Sequence, residues 1–160
     1  MSEIVFHPIG VIHSPFSEPA GTPIQPTAGT GVEGRVELYR EYVGGLKDLD
    51  GFSHIILLYH CHLTRGYSLL VQPYMDGNKR GMFATRIPSR PNSIGLSIVR
   101  LTEIDENVLH IQDLDIVDGT PLLDIKPYVP EFDGREGCRI GWLSDKIQGL
   151  PTVRSDGRLR

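Results

Sequence analysis

The chain has 160 residues and a formal net charge of −4, with 39% hydrophobic and 22% charged residues. This length is enough for one core that buries about 70% of the unfolded surface, and the composition is ordinary for a globular domain. The acidic total argues against a protein coated in positive charge, and no apolar run approaches the ~20 residues that cross a bilayer.

In chain order, the pattern predicts short strands punctuated by 18 glycines and 12 prolines. The predicted strands are residues 4–13, 35–38, 53–62, 81–85, 94–104, 108–114 and 122–126. Residues 39–47 have the one helical pattern, and residues 15–26 form a long proline-rich loop of the kind that is often functional. Regular strand spacing with little helix predicts a mainly β fold, a single compact antiparallel β-barrel.

A basic segment precedes and enters the fifth predicted strand. Residues 77–102, GNKRGMFATRIPSRPNSIGLSIVRLT, contain five basic residues and no acid. Arg86 and Arg90 lie beside Pro88 and Pro91, whose fixed φ stiffens the backbone. Rigidly held guanidinium groups suit planar anions, so we expect an anionic ligand here. A solvated loop whose arginines pair with surface carboxylates would give the same charge pattern.

A turn signal precedes the last predicted strand. Asp118-Gly119 is followed by Thr120-Pro121, and the strand after them is stopped by Pro127. We expect the turn to present the Asp118 carboxylate, the bare backbone of Gly119 and the Thr120 hydroxyl at one tip. Donors and acceptors can converge there on a polar ligand, although a plain hairpin loop has the same sequence pattern.

Four motifs follow one another along the chain. They are PIGVIHSPF at 8–16, FSH at 52–54 before an apolar run, FATR at 83–86 with RPN and IG behind it, and DGTPLLDIKPY at 118–128. In this order, over about residues 5–130, they resemble the TsaA-like, or TrmO, family of S-adenosylmethionine-dependent tRNA methyltransferases. The resemblance implies a compact β-barrel methyltransferase that methylates the exocyclic N6 amine of a threonylcarbamoyl-adenosine beside the anticodon. It also implies a homodimer that binds the tRNA anticodon loop, with no membrane or DNA partner.

The resemblance also implies which residues contact the cofactor, S-adenosylmethionine. Carried over position by position, these contacts fall on Ile24, Gln25, Pro26, His62, Leu63, Arg86, Leu96, Asp118, Gly119, Thr120 and Pro121. Two positions depart from the family pattern: Ile24 stands where arginine is common, and Ser93 stands where proline is usual. We expect serine at position 93 to loosen the loop without removing a functional group.

The resemblance implies a second set of residues near the substrate. These are Arg90, Asn92, Lys126 and Tyr128, of which the tyrosine suits stacking on an unpaired base. Methyl transfer needs alignment of two reactants, which can contribute ~7 to 11 kcal/mol, and an acceptor for hydrogen bonds from the amine. We interpret Asp118 and Asp124 as candidates for that catalytic acceptor. Asp118 could equally bind the cofactor, and Asp124 could simply pair with Lys126 at the strand end.

Motifs typical of other classes of protein are weak or missing in the sequence. On a strand, His60 and His62 would face the same side and could share a metal, but the next acid is Asp76, so we predict no metal site. The chain has no nucleophile elbow, dinucleotide fingerprint or P-loop. A noncatalytic barrel that binds S-adenosylmethionine or RNA as a sensor or adaptor is the alternative from a different class.

The remaining predictions concern organisation and location. We expect a methyltransferase barrel over residues 1–135 and a carboxy-terminal extension over 136–160, whose basic tail holds Arg154, Arg158 and Arg160. The amino terminus lacks the pattern of a signal peptide, so a cytoplasmic protein is expected. Cys61 and Cys138 are expected to be reduced, with Cys61 a packed small hydrophobe.

Overall fold

A closed antiparallel β-barrel forms the body of the protein, which a computed structural model describes over residues 2–18, 30–73 and 76–146. The strands are β1 Gly10–His13, β2 Glu33–Leu38, β3 His54–His60, β4 Leu70–Val71, β5 Arg80–Gly81, β6 Ile94–Asp105, β7 Val108–Gln112 and β8 Thr120–Pro127. The barrel order is β1-β2-β7-β6-β3-β8, and β4 and β5 form a separate two-stranded sheet. The predicted mainly β, single antiparallel barrel is confirmed.

Helix is scarce in the described residues. One short α-helix, α1 Pro130–Asp133, accompanies 3-10 helices at Arg40–Leu46, Leu49–Gly51, Met82–Ala84 and Gly141–Leu143. The helical pattern predicted over 39–47 is thus a 3-10 helix, in which two glycines disfavour a regular α-helix. Among the described residues, no helix has the length and apolar character needed to cross a membrane.

Two predicted strands are wrong in extent or type. The strand predicted over 4–13 pairs only from Gly10 onward. The strand predicted over 81–85 ends at Gly81, because Met82–Ala84 turns into a 3-10 helix. The backbone N–H and the hydroxyl of Thr85 both donate to the Met82 carbonyl, at 3.1 and 2.8 Å, so these bonds replace a strand ladder.

Alternate residues of each strand fill the barrel. Along β3, Ile55, Leu57 and Tyr59 are buried while their neighbours are not, as a two-residue period requires. The same core holds Ile12, Val36, Leu38, Val99, Leu101, Leu109, Ile111, Leu114, Ile116 and Leu122. Each large aliphatic side chain fully buried there contributes about 1.5 to 3 kcal/mol relative to exposure. The core therefore fixes the strand ends from which the loops leave.

A β-bulge in β8 decides which of its residues face outward. Leu58 pairs with Asp124, but Tyr59 pairs with Leu122, so Leu123 is the extra residue. Residues directly opposite each other in an antiparallel pair share a face. Leu122 therefore lies inside with Tyr59, and Asp124 lies outside with Leu58.

One end of the barrel gathers the segments that carry the motifs. At this end, which we call the site end, β1, β3 and β7 finish and β2, β6 and β8 begin. The connections β1–β2, β3–β6 and β7–β8 leave from it. The core thus brings together loops that are far apart in sequence.

Candidate functional site

Most of the predicted cofactor residues lie at the site end. His62 and Leu63 follow β3, Arg86 precedes β6, and residues 118–121 lead into β8. Leu96 is close by on β6 but on the outer face, paired with Leu58 and 52% exposed. The predicted contacts at Ile24, Gln25 and Pro26, like the basic tail at Arg154, Arg158 and Arg160, lie outside the described residues.

The turn at Asp118 and Gly119 is tied to the end of β1. Oδ1 of Asp118 accepts a hydrogen bond from the Ser14 backbone N–H at 3.0 Å and lies 3.4 Å from Nδ1 of His13. Gly119 has φ +80°, a conformation that favours glycine, and its N–H donates to the Ile12 carbonyl at 2.9 Å. The His13-Ser14 pair of the first motif therefore positions the turn of the last motif.

The sequence led us to expect the Thr120 hydroxyl at the tip of this turn, and the structure shows that it is not there. The residue is 2% exposed, and its hydroxyl donates to the Val117 carbonyl at 2.5 Å. The side chain thus closes the turn from the inside. What the turn offers a ligand is the half-exposed Asp118 carboxylate, together with the backbone of Gly119 and Pro121.

Arg90 holds its own loop together. Its Nη1 donates to the carbonyls of Thr85 and Ile87 at 2.9 and 3.1 Å, and its guanidinium lies 5.8 Å from the centre of the Phe83 ring. These contacts fix the backbone on both sides of Arg86. An RNA contact by Arg90, as predicted, would use its remaining N–H groups.

Ser93 ties two loops together rather than loosening one. Its hydroxyl accepts a hydrogen bond from Thr64 at 2.9 Å and donates to the Arg90 carbonyl at 3.3 Å. The Ser93 carbonyl accepts from the Cys61 N–H at 2.8 Å. A serine can make side-chain hydrogen bonds that a proline cannot, so the segment after β3 is fastened to the segment before β6.

Of the two histidines weighed as metal ligands, His60 ends β3 and His62 follows it. Burial, then the nearby charge of His60, lowers the pKa of His62, so its imidazole is neutral at pH 7 and offers one donor and one acceptor. Within residues 2–18, 30–73 and 76–146, no group of three histidine, cysteine or acidic side chains is placed to hold a metal ion.

A buried polar network at the site end was missed by the sequence reasoning. The Tyr59 hydroxyl lies 2.7 Å from Oγ of Ser97, which donates to Oδ1 of Asp115 at 2.7 Å. Burial raises the pKa of Asp115 to about 7, although the Ser97 hydrogen bond and the charge of Arg86 act against the rise. The signal in the sequence was an aspartate between two aliphatic residues, Leu114 and Ile116.

Tyr59 in this network, and Cys61 near it, stay neutral. Burial, and then the negative charge of Asp115, raises the pKa of the Tyr59 hydroxyl well above its usual value. The same two causes raise the pKa of the Cys61 thiol to about 11. Cys61 is half-buried against the core, which agrees with its interpretation as a packed hydrophobe.

The predicted substrate residues are divided between the two ends of the barrel. Arg90 and Asn92 lie at the site end. The Tyr128 N–H donates to the His54 carbonyl at 3.1 Å, and His54 begins β3. Six residues of strand, about 20 Å, separate that position from the site end. Lys126 lies near it on the outside of β8.

The two candidate catalytic aspartates are not brought together either. Asp118 is in the turn at the site end, whereas Asp124 is about 13 Å further along β8. Oδ2 of Asp124 forms an ion pair with Nζ of Lys126 at 2.9 Å, the pairing that the sequence left open. The surroundings of Asp124 are therefore those of an outer-face ion pair.

The carboxy-terminal segment of the described chain packs on the loop that leads to Arg86. Nε1 of Trp142 donates to the Ala84 carbonyl at 2.8 Å, and the Arg80 guanidinium lies 5.4 Å from the Trp142 ring centre. The buried carboxylate of Asp76 binds Nε of Arg80 at 2.5 Å and lies 3.9 Å from Nζ of Lys146. The hydrogen bond from Arg80 is the main cause that lowers the pKa of Asp76. This segment thus braces the loop.

These features define a closed β-barrel domain whose loops bring predicted site residues together at one end. Residues 11–134 match the family of the tRNA-methyltransferase O N-terminal domain. The chain therefore belongs to the tRNA-methyltransferase O family, and the predicted family is confirmed. The predicted cofactor, S-adenosylmethionine, is also supported, because relatives are named as binding it.

Individual relatives agree with this assignment. A probable S-adenosyl-L-methionine-binding protein of Pyrococcus abyssi is 58% identical over 97% of this chain and 84% of its own length. The tRNA (adenine(37)-N6)-methyltransferase of Escherichia coli is 41% identical over 81% of this chain and 60% of its own length. The crystal structure of TrmO from Pseudomonas aeruginosa has a TM-score of 0.75 at 38% identity, over 88% of this chain and 62% of that one. The chain thus spans about three fifths of these two bacterial relatives.

Proposed function

We propose that this chain is an S-adenosylmethionine-dependent tRNA methyltransferase that methylates N6 of threonylcarbamoyl-adenosine beside the anticodon. The observation that carries the proposal is the match to the tRNA-methyltransferase O family over residues 11–134. Motif residues in the β1–β2, β3–β6 and β7–β8 connections all lie at the site end, which supports the same conclusion. The name of the Escherichia coli relative, tRNA (adenine(37)-N6)-methyltransferase, supports the nucleotide and the atom.

The residues at the site end fit this cofactor chemically. S-adenosylmethionine supplies a methyl group activated by a positively charged sulfur and carries an anionic carboxylate at its amino-acid end. The exposed guanidinium of Arg86, on a loop fixed by Arg90, suits that carboxylate. The backbone of Gly119 and the imidazole of His62 offer neutral hydrogen-bonding groups for the adenosine part.

Asp118 is the better placed of the two candidate acceptors for the reacting amine. Its carboxylate is half-exposed at the site end, and Oδ1 is held by the Ser14 N–H. Asp124 faces outward on β8 and is paired with Lys126. In our proposal Asp118 accepts a hydrogen bond from the amine and takes up its proton as the nitrogen gains the methyl group from the sulfur, and the chain otherwise acts by alignment.

The proposed enzyme is a homodimer. Seven large apolar side chains are exposed in the β3–β6 connection and at the start of β6, and we take them as one apolar face: Leu63, Tyr67, Leu69, Leu70, Phe83, Ile94 and Leu96, which are 43% to 79% exposed. Pairing of β4 with β5 and the bond from the Met82 N–H to the Leu69 carbonyl link its parts. A second copy covering this face would remove these groups from water. It could also bring Lys126 and Tyr128 of one protomer to the cofactor of the other.

Sedimentation velocity tests the dimer. Wild type should sediment as a dimer, and Phe83→Glu should dissociate it, because Phe83 is the most exposed member of the apolar face at 79%. Phe132→Glu is the matched control, since Phe132 is 72% exposed but lies in α1 outside this face. A monomeric wild type, or a dimer unaffected by Phe83→Glu, would contradict the proposed interface.

Calorimetry with S-adenosylmethionine, followed by mass spectrometry of tRNA nucleosides, tests the activity. We expect binding, and a gain of one methyl group on the threonylcarbamoyl-adenosine nucleoside. Arg86→Ala should weaken cofactor binding, whereas Arg65→Ala, an exposed arginine elsewhere in the β3–β6 connection, should not. Methyl transfer to unmodified adenosine would contradict the proposed substrate.

A noncatalytic binding protein is the second candidate. It is favoured by one observation, the name of the Pyrococcus abyssi relative, which at 58% identity is called a probable binding protein rather than an enzyme. Binding of S-adenosylmethionine with no release of S-adenosylhomocysteine in the presence of tRNA would support this candidate over the enzyme.

A further inference from the structure

Asp115 is a partly buried carboxylate that none of the four sequence motifs contains. It lies in the β7–β8 connection at the site end, between Leu114 and Ile116, which are 0% and 2% exposed. Its Oδ1 accepts a hydrogen bond from Ser97, which is 1% exposed and lies on the inner face of β6. A carboxylate in such surroundings either takes up a proton, as the raised pKa of Asp115 indicates, or is kept ionised by a nearby cation.

Arg86 is the cation whose charge acts on Asp115, but the two side chains do not form an ion pair. Arg86 and Arg90 are both on the β3–β6 connection, and Arg90 is engaged with the carbonyls of Thr85 and Ile87. Arg86 is exposed, and its positive charge acts on Asp115. The described residues nevertheless include no ion pair within 4 Å between Arg86 and Asp115. The Asp115 carboxylate and the Arg86 guanidinium therefore lie at the same end of the barrel without forming an ion pair.

This arrangement suits a ligand group that carries one charge of each sign. The amino-acid end of S-adenosylmethionine is such a zwitterion, with a carboxylate and an ammonium on one carbon atom. A guanidinium can bind the carboxylate with two parallel hydrogen bonds, and an ammonium has three donors for a carboxylate. Ser97 and Asp115 are also close in sequence to predicted cofactor positions, Leu96 and Asp118.

We infer that Asp115 and Arg86 together recognise the amino-acid end of the cofactor, with Asp115 binding the ammonium and Arg86 the carboxylate. The inference rests on the proposed function, since it takes Arg86 as a cofactor contact. The chain Tyr59–Ser97–Asp115 holds the carboxylate in place from the core side. Asp115 is then a residue that selects for the amino-acid end, and not only a structural group.

Two ligands separate this role from a structural one. S-adenosylhomocysteine and methylthioadenosine share the adenosine and the thioether, but only the first has the amino-acid end. We expect Asp115→Asn and Arg86→Ala each to weaken S-adenosylhomocysteine binding at least tenfold in calorimetry and to change methylthioadenosine binding less than twofold. Asp105→Asn, an exposed aspartate at the far end of β6, is the control and should change neither.

A pH series gives a second readout. The charged or titratable groups that interact with Asp115 are Arg86, Tyr59 and Cys61, and only Asp115 among them changes charge near neutral pH. His62, at the same end, has a lowered pKa and takes up its proton at lower pH than Asp115. Wild-type affinity for S-adenosylhomocysteine should therefore weaken several-fold as the pH falls from about 8 to about 6, as Asp115 takes up a proton. Asp115→Asn should lack the part of this change that is centred near pH 7.

The outcomes distinguish the inference from the proposed function. Equal loss of both ligands in Asp115→Asn, or an unchanged preference for S-adenosylhomocysteine, would overturn the inference while leaving the cofactor assignment intact. A wild-type protein that binds neither S-adenosylhomocysteine nor methylthioadenosine would overturn the proposed function and the inference with it.

Discussion

The ring of Tyr59 lies directly over the Cα of Gly95, its partner on the neighbouring strand. A Cβ added at Gly95 would lie 2.1 Å from Cε2 of Tyr59, far inside any real contact. The glycine of the RPNSIG run is therefore explained by packing. It leaves room for the tyrosine whose hydroxyl holds Ser97, which in turn holds Asp115.

Gly95→Ala should therefore destabilise the protein and disturb the network. Because the ring has to move, we expect the free energy of unfolding in urea to fall by about 1 to 3 kcal/mol. Gly44→Ala is the control, since a Cβ there meets nothing within 4 Å. Equal stability of the two variants would show that Tyr59 has another position open to it.

The ionisation of Asp115 should make stability depend on pH. Its pKa is raised to about 7, so the folded protein holds the proton more tightly than the unfolded chain. The stabilisation that comes from this tighter proton binding is complete below the ordinary aspartate pKa and is lost as the pH rises through about 7. Relative to Asp115→Asn, wild type should lose on the order of 3 kcal/mol of unfolding free energy between about pH 4 and about pH 8. Parallel pH profiles for the two proteins, measured by urea denaturation, would contradict this.

Substitutions of Asp118 should separate its structural bond from its proposed role in the reaction. Asp118→Asn keeps an oxygen that can accept from the Ser14 N–H, so stability should stay within about 0.5 kcal/mol of wild type. Methyl transfer should fall by at least tenfold, because the amide accepts hydrogen bonds more weakly than a carboxylate. Asp118→Ala should in addition lose about 1 kcal/mol of stability. Single-turnover rates at saturating cofactor measure the first effect. Full activity in Asp118→Asn would exclude the carboxylate as the acceptor.

Trp142 should support cofactor binding from outside the region that the family match covers. Trp142→Phe removes the donor to the Ala84 carbonyl, two residues before Arg86, but keeps a ring beneath Arg80. A lost hydrogen bond of about 1 kcal/mol predicts cofactor affinity about fivefold weaker in calorimetry. In the Arg86→Ala background the same change should have no effect. Cys138→Ser, in the same segment but exposed, is the control. Additive losses in the double variant would show that Trp142 does not act through Arg86.

The barrel was predictable because its information is local. Alternation along β3 and β6, and turn residues at regular spacing, are visible in the sequence without knowledge of the pairing. The strand predicted over 81–85 failed because Thr85 offers the Met82 carbonyl a competing hydrogen bond, which alternation does not reveal. The paired ends of β3 and β6 then bring the predicted loops together.

The positions of the candidate site residues were predictable only where a motif contained them. Arg86 and the turn at Asp118 were found from motifs, and both lie at the site end. Asp115 was not found, because its partner Ser97 is 18 residues away on another strand, and no local pattern relates them. The outward position of Asp124 depends on a pairing register between β3 and β8, which is also a long-range property.

The extra residue in β8 makes this strand unusually tolerant of one change in length. With Leu123 removed, Leu122 would still point inward, Asp124 outward and Ile125 inward, since simple alternation then gives the same faces. Removing one residue beyond the bulge would instead turn the charge of Lys126 toward the core. We therefore expect natural single-residue deletions in this strand to fall at position 123, and a deletion of Ile125 to prevent folding.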